Sequence, residues 1–189
     1  NQYIYVIVNK SFYGDIRINQ QGEKERCAKP EQVQHPIIRE CLKMTGVDDV
    51  EITITSNTPQ GSGIGGSSTF TVGLLNALYT YRGTKPSRST LAEKACEIEI
   101  EILKKPNGKQ DQYAAAYGGL NYMEFNPDDT VNIRLIPITF VFKEAFEKRC
   151  MLFYTGVSRE AVSVLAEQNK NMDRNHQILG EMRDLVDDF

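Results

Sequence analysis

Between a strand-like and a helix-like stretch lies Pro59-Gln60-Gly61-Ser62-Gly63-Ile64-Gly65-Gly66-Ser67-Ser68, in which four glycines and three serines leave almost no bulk. Such a loop lets backbone N–H groups converge without Cβ interference, and a helix that follows adds unpaired donors and a partial positive charge. That chemistry seats a phosphate. The plainer alternative, a flexible turn, needs only one or two glycines and no hydroxyls. Further on, Gly108-Lys109-Gln110-Asp111-Gln112 sets a lysine and a carboxylate at the start of a helical segment. Asp111 there either caps the helix or sits beside a hydroxyl, orients it and takes its proton as a bond to phosphorus forms. Lys109 is either solvated or balances charge.

Several nucleotide-binding classes are excluded by what surrounds the loop. Gly61-x-Gly63-x-x-Gly66 matches the dinucleotide fingerprint formally. That reading needs a second parallel strand ending in an acid about twenty residues on, where a helix and Arg82-Gly83-Thr84-Lys85-Pro86 stand instead. A Walker A loop ends in Gly-Lys-Ser/Thr, and this one carries no lysine. The H-R-D and D-F-G partners of protein kinases are missing as well.

These residues resemble a family. Pro59 to Ser68 is similar to the second motif of the GHMP kinases, P-x-G-x-G-L-G/S-S-S-A, with Ile64 for the Leu and Ser68-Thr69 for the small residues after the serines. Gly108-x-x-Asp111-Gln112 resembles the G-x-x-D-Q around the catalytic aspartate of galactokinase-like members. The resemblance implies that Pro59, Gly61, Ser62, Gly63, Ile64, Gly65, Gly66, Ser67 and Ser68 hold the ATP phosphates and that Asp111 is the base. Lys109 is assigned to charge stabilisation or to substrate phosphate. It also implies that Glu99, on the preceding helix, binds Mg²⁺, the plainer alternative being that Glu97, Glu99 and Glu101 line a solvated helix face. Mg²⁺ takes one or two protein oxygens and completes its shell with water and nucleotide phosphate. Alignment with the motif makes Ser67 the hydroxyl ligand, with Ser68 as second choice.

Lys109 to Asn121, together with Asn9-Lys10-Ser11-Phe12 and Phe153 to Arg159, looks like the version carried by the D-glycero-D-manno-heptose 7-phosphate kinases. The activity implied is phosphorylation of that sugar phosphate to the 1,7-bisphosphate. An anionic substrate needs cations, and Lys109, Arg159 and Lys10 are the candidates near these motifs. Two rivals stand beside this reading: another GHMP sugar kinase of fucose or galactose type, and a non-catalytic sensor that keeps the cleft. The fold implied is α+β, the two-domain GHMP kinase architecture, with a ribosomal protein S5 domain 2-like N-terminal domain at residues 1–155 and the start of the C-terminal domain at 156–189. The family's opening strand-loop motif and closing glycine-rich motif are not found, so the first strands and much of the C-terminal domain are expected to be missing.

The elements that must position these groups follow from periodicity. Tyr3 to Val8 and Asp15 to Asn19 read as strands joined in a hairpin, Tyr3 and Tyr5 being packing residues. Pro36 to Leu42 reads as a helix and Val50 to Thr55 as the strand that delivers the loop. Phe70, Leu74, Leu78 and Tyr81 predict a helix after the loop, with Gly73 and Ala77 small enough for close packing. Thr90 to Ile102, with Thr90-x-x-Glu93 as a capping box and Leu91, Ala95, Ile98 and Ile102 on one face, predicts another. Glu97 to Ile102 alternates locally like a strand, but the longer register and the stop at Pro106-Asn107-Gly108 favour helix. Gln110 to Tyr117 follows as helix, Leu120 to Phe125, Val131 to Ile136 and Cys150 to Tyr154 as strands, and Arg159 to Asn169 as helix.

Composition sets the remaining bounds. The 189 residues are 40% hydrophobic and 25% charged, with a net charge of -3, a globular balance with no basic stripe to recruit nucleic acid. No apolar run is long enough for a membrane span and the start lacks signal-peptide regions, which leads to the expectation of a cytoplasmic protein without membrane partners. Cys27, Cys41, Cys96 and Cys150 are too far apart for zinc or a disulfide scaffold and read as reduced packing residues. His35 and His176 match no motif and are assigned to surface or capping positions.

Overall fold

The computed structural model describes residues 3–57, 63–153, 165, 168 and 170–188. Four strands, β1 (Ile4–Lys10), β2 (Ile16–Gln20), β3 (Glu23–Cys27) and β4 (Val50–Ser56), form one sheet in the order β1-β4-β2-β3. β4 runs antiparallel to β1 and parallel to β2, while β2 and β3 are antiparallel. The expected β1–β2 hairpin is therefore not formed: β4 lies between those strands, and the hairpin is β2–β3. Its turn, Gln21-Gly22, has both residues at positive φ. β3, Glu-Lys-Glu-Arg-Cys, is too polar to show an apolar pattern, so its strand character comes from pairing alone.

One sheet face carries Ile16, Ile18, Val50, Ile52 and Ile54 into the core, with Val6 and Val8 beside them. α1 (Pro36–Thr45) and α2 (Gly66–Tyr81) join this core through Ile37, Ile38, Cys41 and Leu42 and through Phe70, Leu74, Leu75 and Leu78. Pro36 opens α1, where its missing N–H costs nothing, and Gly46, at φ 64, closes it in the left-handed region. α2 buries Val72 and Leu75 in addition to the predicted stripe, as a helix enclosed on several sides must. Tyr81, at its end, is exposed. Tyr3, Tyr5 and Ile7 point to the opposite sheet face and are also exposed, so the two tyrosines pack against each other rather than in the core.

α3 (Arg88–Cys96) starts one turn earlier than the proposed capping box, at Ser87, whose hydroxyl accepts from the Thr90 N–H at 3.0 Å. It continues as a π-helical turn, Glu97–Ile102, closed by Leu103 N–H to Ile98 O at 2.9 Å. Helix is thus the correct reading, but the wider turn breaks the expected face: Ile98 is buried and Ile102 is exposed. α4 (Gln110–Tyr117) packs against α2 and α3. Its Tyr113 forms a small second cluster with Ala92, Cys96 and the hairpin of β5 (Asn121–Phe125) and β6 (Val131–Leu135).

Beyond the hairpin the reading departs further. α5 (Phe140–Glu147), capped by the Thr139 hydroxyl accepting from Phe142 N–H, is a helix that the periodicity did not announce. Residues 150–153, expected as a strand, have no regular structure, and Met151, Leu152 and Phe153 are exposed. α6 (Met172–Asp184) follows and runs into a 3-10 turn at Leu185–Asp188. Tyr154, most of Arg159 to Asn169 and the suggested domain boundary near residue 155 lie outside the described residues. Cys27, Cys41 and Cys96 are buried free thiols, as expected, whereas Cys150 is exposed. Burial first, then the Glu25 carboxylate beside it, pushes the Cys27 thiol up to about 11.

Candidate active site

β4 ends at Ser56 and α2 begins at Gly66, so the glycine-rich loop is the connection between core strand and core helix. Gly63 and Gly65 hold φ 73 and φ 71, a backbone region closed to most side chains, and Gly65 is the N-cap of the 16-residue α2. Pro59, Gly61 and Ser62 lie outside the described residues. Against this loop stands the first turn of α4: a Cβ built on Gly65 would lie 3.5 Å from Asp111 Cγ. Gly63, Ile64, Gly65 and Thr69 on one side and Gln110, Asp111, Ala114 and Ala115 on the other line an open cleft of about 490 Å³. Two motifs far apart in sequence thus share one crevice, with Asp111 exposed in it.

Beside the start of α2, Glu99 is fully buried with 0% exposure. Its Oε1 accepts from Ser67 Oγ at 2.5 Å, Thr71 Oγ1 at 3.1 Å and Lys105 Nζ at 3.1 Å. Its Oε2 accepts from Ser68 Oγ at 2.8 Å and Gln112 Nε2 at 2.5 Å. Burial alone would raise this carboxyl, but the Ser67 hydrogen bond, the Lys105 charge and the Ser68 hydrogen bond together hold it below the usual carboxylate range. The solvated-face reading therefore does not describe Glu99, while Glu101 is exposed. Ser67 is exposed and Ser68 buried, so Ser67 is the hydroxyl open to solvent and Ser68 holds Glu99 from within the core.

Ser67 Oγ and Glu99 Oε1 are hard oxygen donors, one neutral and one anionic, as Mg²⁺ requires. Octahedral coordination at about 2.0–2.1 Å sets neighbouring oxygens roughly 2.9 Å apart, so the 2.5 Å pair need open only slightly. A cation already stands against both oxygens, because Lys105 Nζ is also 2.8 Å from Ser67 Oγ. The site fits a divalent ion of the Mg²⁺ kind. Among the described residues there is no cluster of three or more His, Cys, Asp and Glu of the sort that transition metals use.

The remaining candidates fall elsewhere. Lys109 pairs with Asp129 in the β5–β6 turn at 2.8 Å, beside a smaller pocket of about 290 Å³ that it helps line. That pair is largely solvent-exposed and weak, so Lys109 is free to exchange partners. Lys10 pairs with Val50 at the start of β4, whereas the loop leaves its far end, roughly 20 Å away at the rise of a strand. Lys10 is therefore not brought to the cleft. Arg159 lies outside the described residues. His35 occupies the N-cap of α1 without a side-chain hydrogen bond and packs edge-on against Phe70, while His176 is exposed. Lys105, Thr71 and Gln112 are the site residues that sequence reasoning missed. Gln112 was visible inside the G-x-x-D-Q motif, but nothing marked Lys105 in the pair Lys104-Lys105 as other than solvated.

Residues 33–119, which span α1 to α4 and hence the loop, Glu99 and Asp111, match the family described as GHMP kinases N terminal domain. D-glycero-alpha-D-manno-heptose 7-phosphate kinase of Campylobacter jejuni is 38% identical over 109 residues, 58% of this chain and 32% of that one. Galactokinase of Thermococcus kodakarensis is 33% identical over 129 residues, 68% of this chain and 35% of that one. Among solved structures, a D-glycero-D-manno-heptose 1-phosphate kinase from Bacteriodes thetaiotaomicron superposes with a TM-score of 0.66 at 29% identity, covering 74% of this chain and 49% of that one. The chain spans about a third of the length of these two curated relatives.

Proposed function

The chain belongs to the GHMP kinase superfamily, and on that premise we propose that it is the nucleotide-binding part of a sugar-phosphate kinase that moves the terminal phosphoryl group of ATP to a sugar hydroxyl. The observation that carries this reading is the shared cleft, in which the loop before α2 faces Asp111 on α4. In this mechanism the N–H groups of the loop and of the first turn of α2 hold the ATP phosphates. Asp111 orients the acceptor hydroxyl and takes its proton as the bond to phosphorus forms. Ser67 and Glu99 hold Mg²⁺, which neutralises phosphate charge when bound. Ser68, Thr71 and Gln112 keep the Glu99 carboxylate aimed at Ser67.

The acceptor we favour is D-glycero-D-manno-heptose 7-phosphate, giving the 1,7-bisphosphate. Two relatives act on heptose phosphates by name, one on the 7-phosphate and one titled for the 1-phosphate. Lys109 and Arg159 are the candidates to bind the sugar's phosphate. A galactokinase relative matched over a larger share of the chain keeps an unphosphorylated hexose as the second reading. ADP formation with heptose 7-phosphate, heptose 1-phosphate, galactose and fucose separates them: the 7-phosphate should give the highest kcat/KM, and preference for a free hexose defeats the heptose assignment. Asp111→Asn should keep the fold and lose about 10²- to 10⁴-fold in kcat, some 3 to 5 kcal/mol of barrier. Near-normal turnover in that variant removes Asp111 from the mechanism.

A further inference from the structure

Lys105 is held onto Glu99 twice. Its Nζ donates to Glu99 Oε1 at 3.1 Å, and its backbone N–H donates to the carbonyl of the same glutamate at 3.0 Å. The second bond accompanies a turn of the chain after the π-helical segment through Lys104, a non-glycine residue at φ 54, in the left-handed region that L residues rarely adopt. The turn thus delivers an ammonium group to the two oxygens, Ser67 Oγ and Glu99 Oε1, that fit a divalent ion. An ammonium takes its oxygen neighbours near 2.8 Å and Mg²⁺ takes them at about 2.0–2.1 Å, so an ion bridging the two oxygens from the side that Lys105 Nζ holds would collide with the ammonium.

We propose that Lys105 is a tethered competitor of the divalent cation: it supplies the countercharge for buried Glu99 when no metal is bound and must withdraw for the metal to enter. The inference builds on the reading of Ser67 and Glu99 as the metal ligands. The carboxylate is fully buried and needs a positive partner at all times, because an uncompensated charge in such a place is strongly destabilising. Lys105 meets that need and keeps an exit, since its side chain retains 24% exposure to solvent. Metal binding is then an exchange of one cation for another, and the intrinsic affinity of the oxygens is reduced by the work of displacing the lysine.

Titration of the full chain with Mn²⁺ alone at fixed pH, followed by electron paramagnetic resonance of the free ion, tests this without catalysis. Lys105→Met should bind Mn²⁺ about tenfold more tightly than the unaltered chain, a coupling of ordinary size between two sites. Its melting temperature in EDTA should fall, and Mn²⁺ should raise it by more than it raises that of the unaltered chain. Lys105→Arg, which keeps the charge, should stay near the starting affinity. Lys105→Gln replaces the methionine variant if the latter does not fold. Equal or weaker Mn²⁺ binding in the neutral variants overturns the competition alone. Absence of Mn²⁺ binding in every form, or binding unaffected by Glu99→Gln, overturns the metal reading and the competition with it. ADP formation is read separately and bears only on the kinase assignment.

Discussion

Glu99 shows how much a single residue's surroundings decide. In the sequence it is the middle of three glutamates at alternate positions; in the fold it receives five hydrogen bonds and has no contact with solvent. Its carboxyl is held below the usual range, so the folded state binds its proton less readily than the unfolded chain does. That contribution to stability is fully present above about pH 4.3, the unfolded value, and disappears as pH falls through the folded value. Asp15 acts in the same direction, held down by Arg17 and Ser11. Urea unfolding should therefore show stability falling below about pH 4.5, and Glu99→Gln should flatten part of that slope; an unchanged slope would count against the buried network. Gly65 is constrained in a different way, by φ 71 and by the nearness of Asp111. Gly65→Ala should cost about 1 to 2 kcal/mol of stability and, with a methyl group set between loop and carboxylate, lower kcat by more than that cost explains.

At the scale of elements, the π-helical turn at Glu97–Ile102 determines the geometry of the site. A regular α-helix would carry Leu91, Ala95, Ile98 and Ile102 on one apolar stripe, as their spacing suggests. The wider turn releases Ile102 to solvent, buries Ile98 and Glu99 side by side, and sets Lys105 over the carboxylate. Deleting Ile100 should restore α-helical spacing, turning every later residue by about 100° and drawing it back about 1.5 Å along the axis. Circular dichroism should show helix content close to that of the unaltered chain, while Mn²⁺ binding is lost. Retained binding would mean that the turn does not position the site. The alternation Glu-Ile-Glu-Ile-Glu-Ile by itself could not announce this, because a π turn has no sequence period of its own and depends on what packs around it.

Across the whole molecule, apolar burial is uneven. The sheet and α1 to α4 share a continuous core, whereas beyond β6 no apolar side chain among the described residues is buried. Phe140 is 80% exposed, and Val141, Phe142, Phe146, Met151, Leu152 and Phe153 are exposed with it. Phe142 and Phe146 stack with ring centroids 6.3 Å apart on one side of α5. A surface of this kind binds apolar dyes. The native chain should therefore enhance anilinonaphthalene sulfonate fluorescence, and Phe142→Ser with Phe146→Ser should reduce that emission without changing the far-ultraviolet spectrum. Equal emission from both forms would show that α5 is not the dye's surface. No helix among the described residues is long and apolar enough to cross a membrane.

Local regularities reached the sequence intact. The periods of Val50 to Thr55 and of Phe70 to Leu78 follow from a face that must be buried and the glycines of the loop from backbone sterics, while the Asp-Gln pair at the start of α4 is legible as a motif, so all of these could be read without coordinates. Contacts between distant segments could not. That β4 would enter between β1 and β2, that polar β3 would pair at all, and that Lys10 would lie a strand's length from the loop are decided by which hydrogen-bonding edges meet. The approach of Gly65 to Asp111 and the seating of Lys105 on Glu99 are of the same kind, because residues far apart in the chain, or on either side of a widened turn, meet only once the core has set the helices that carry them.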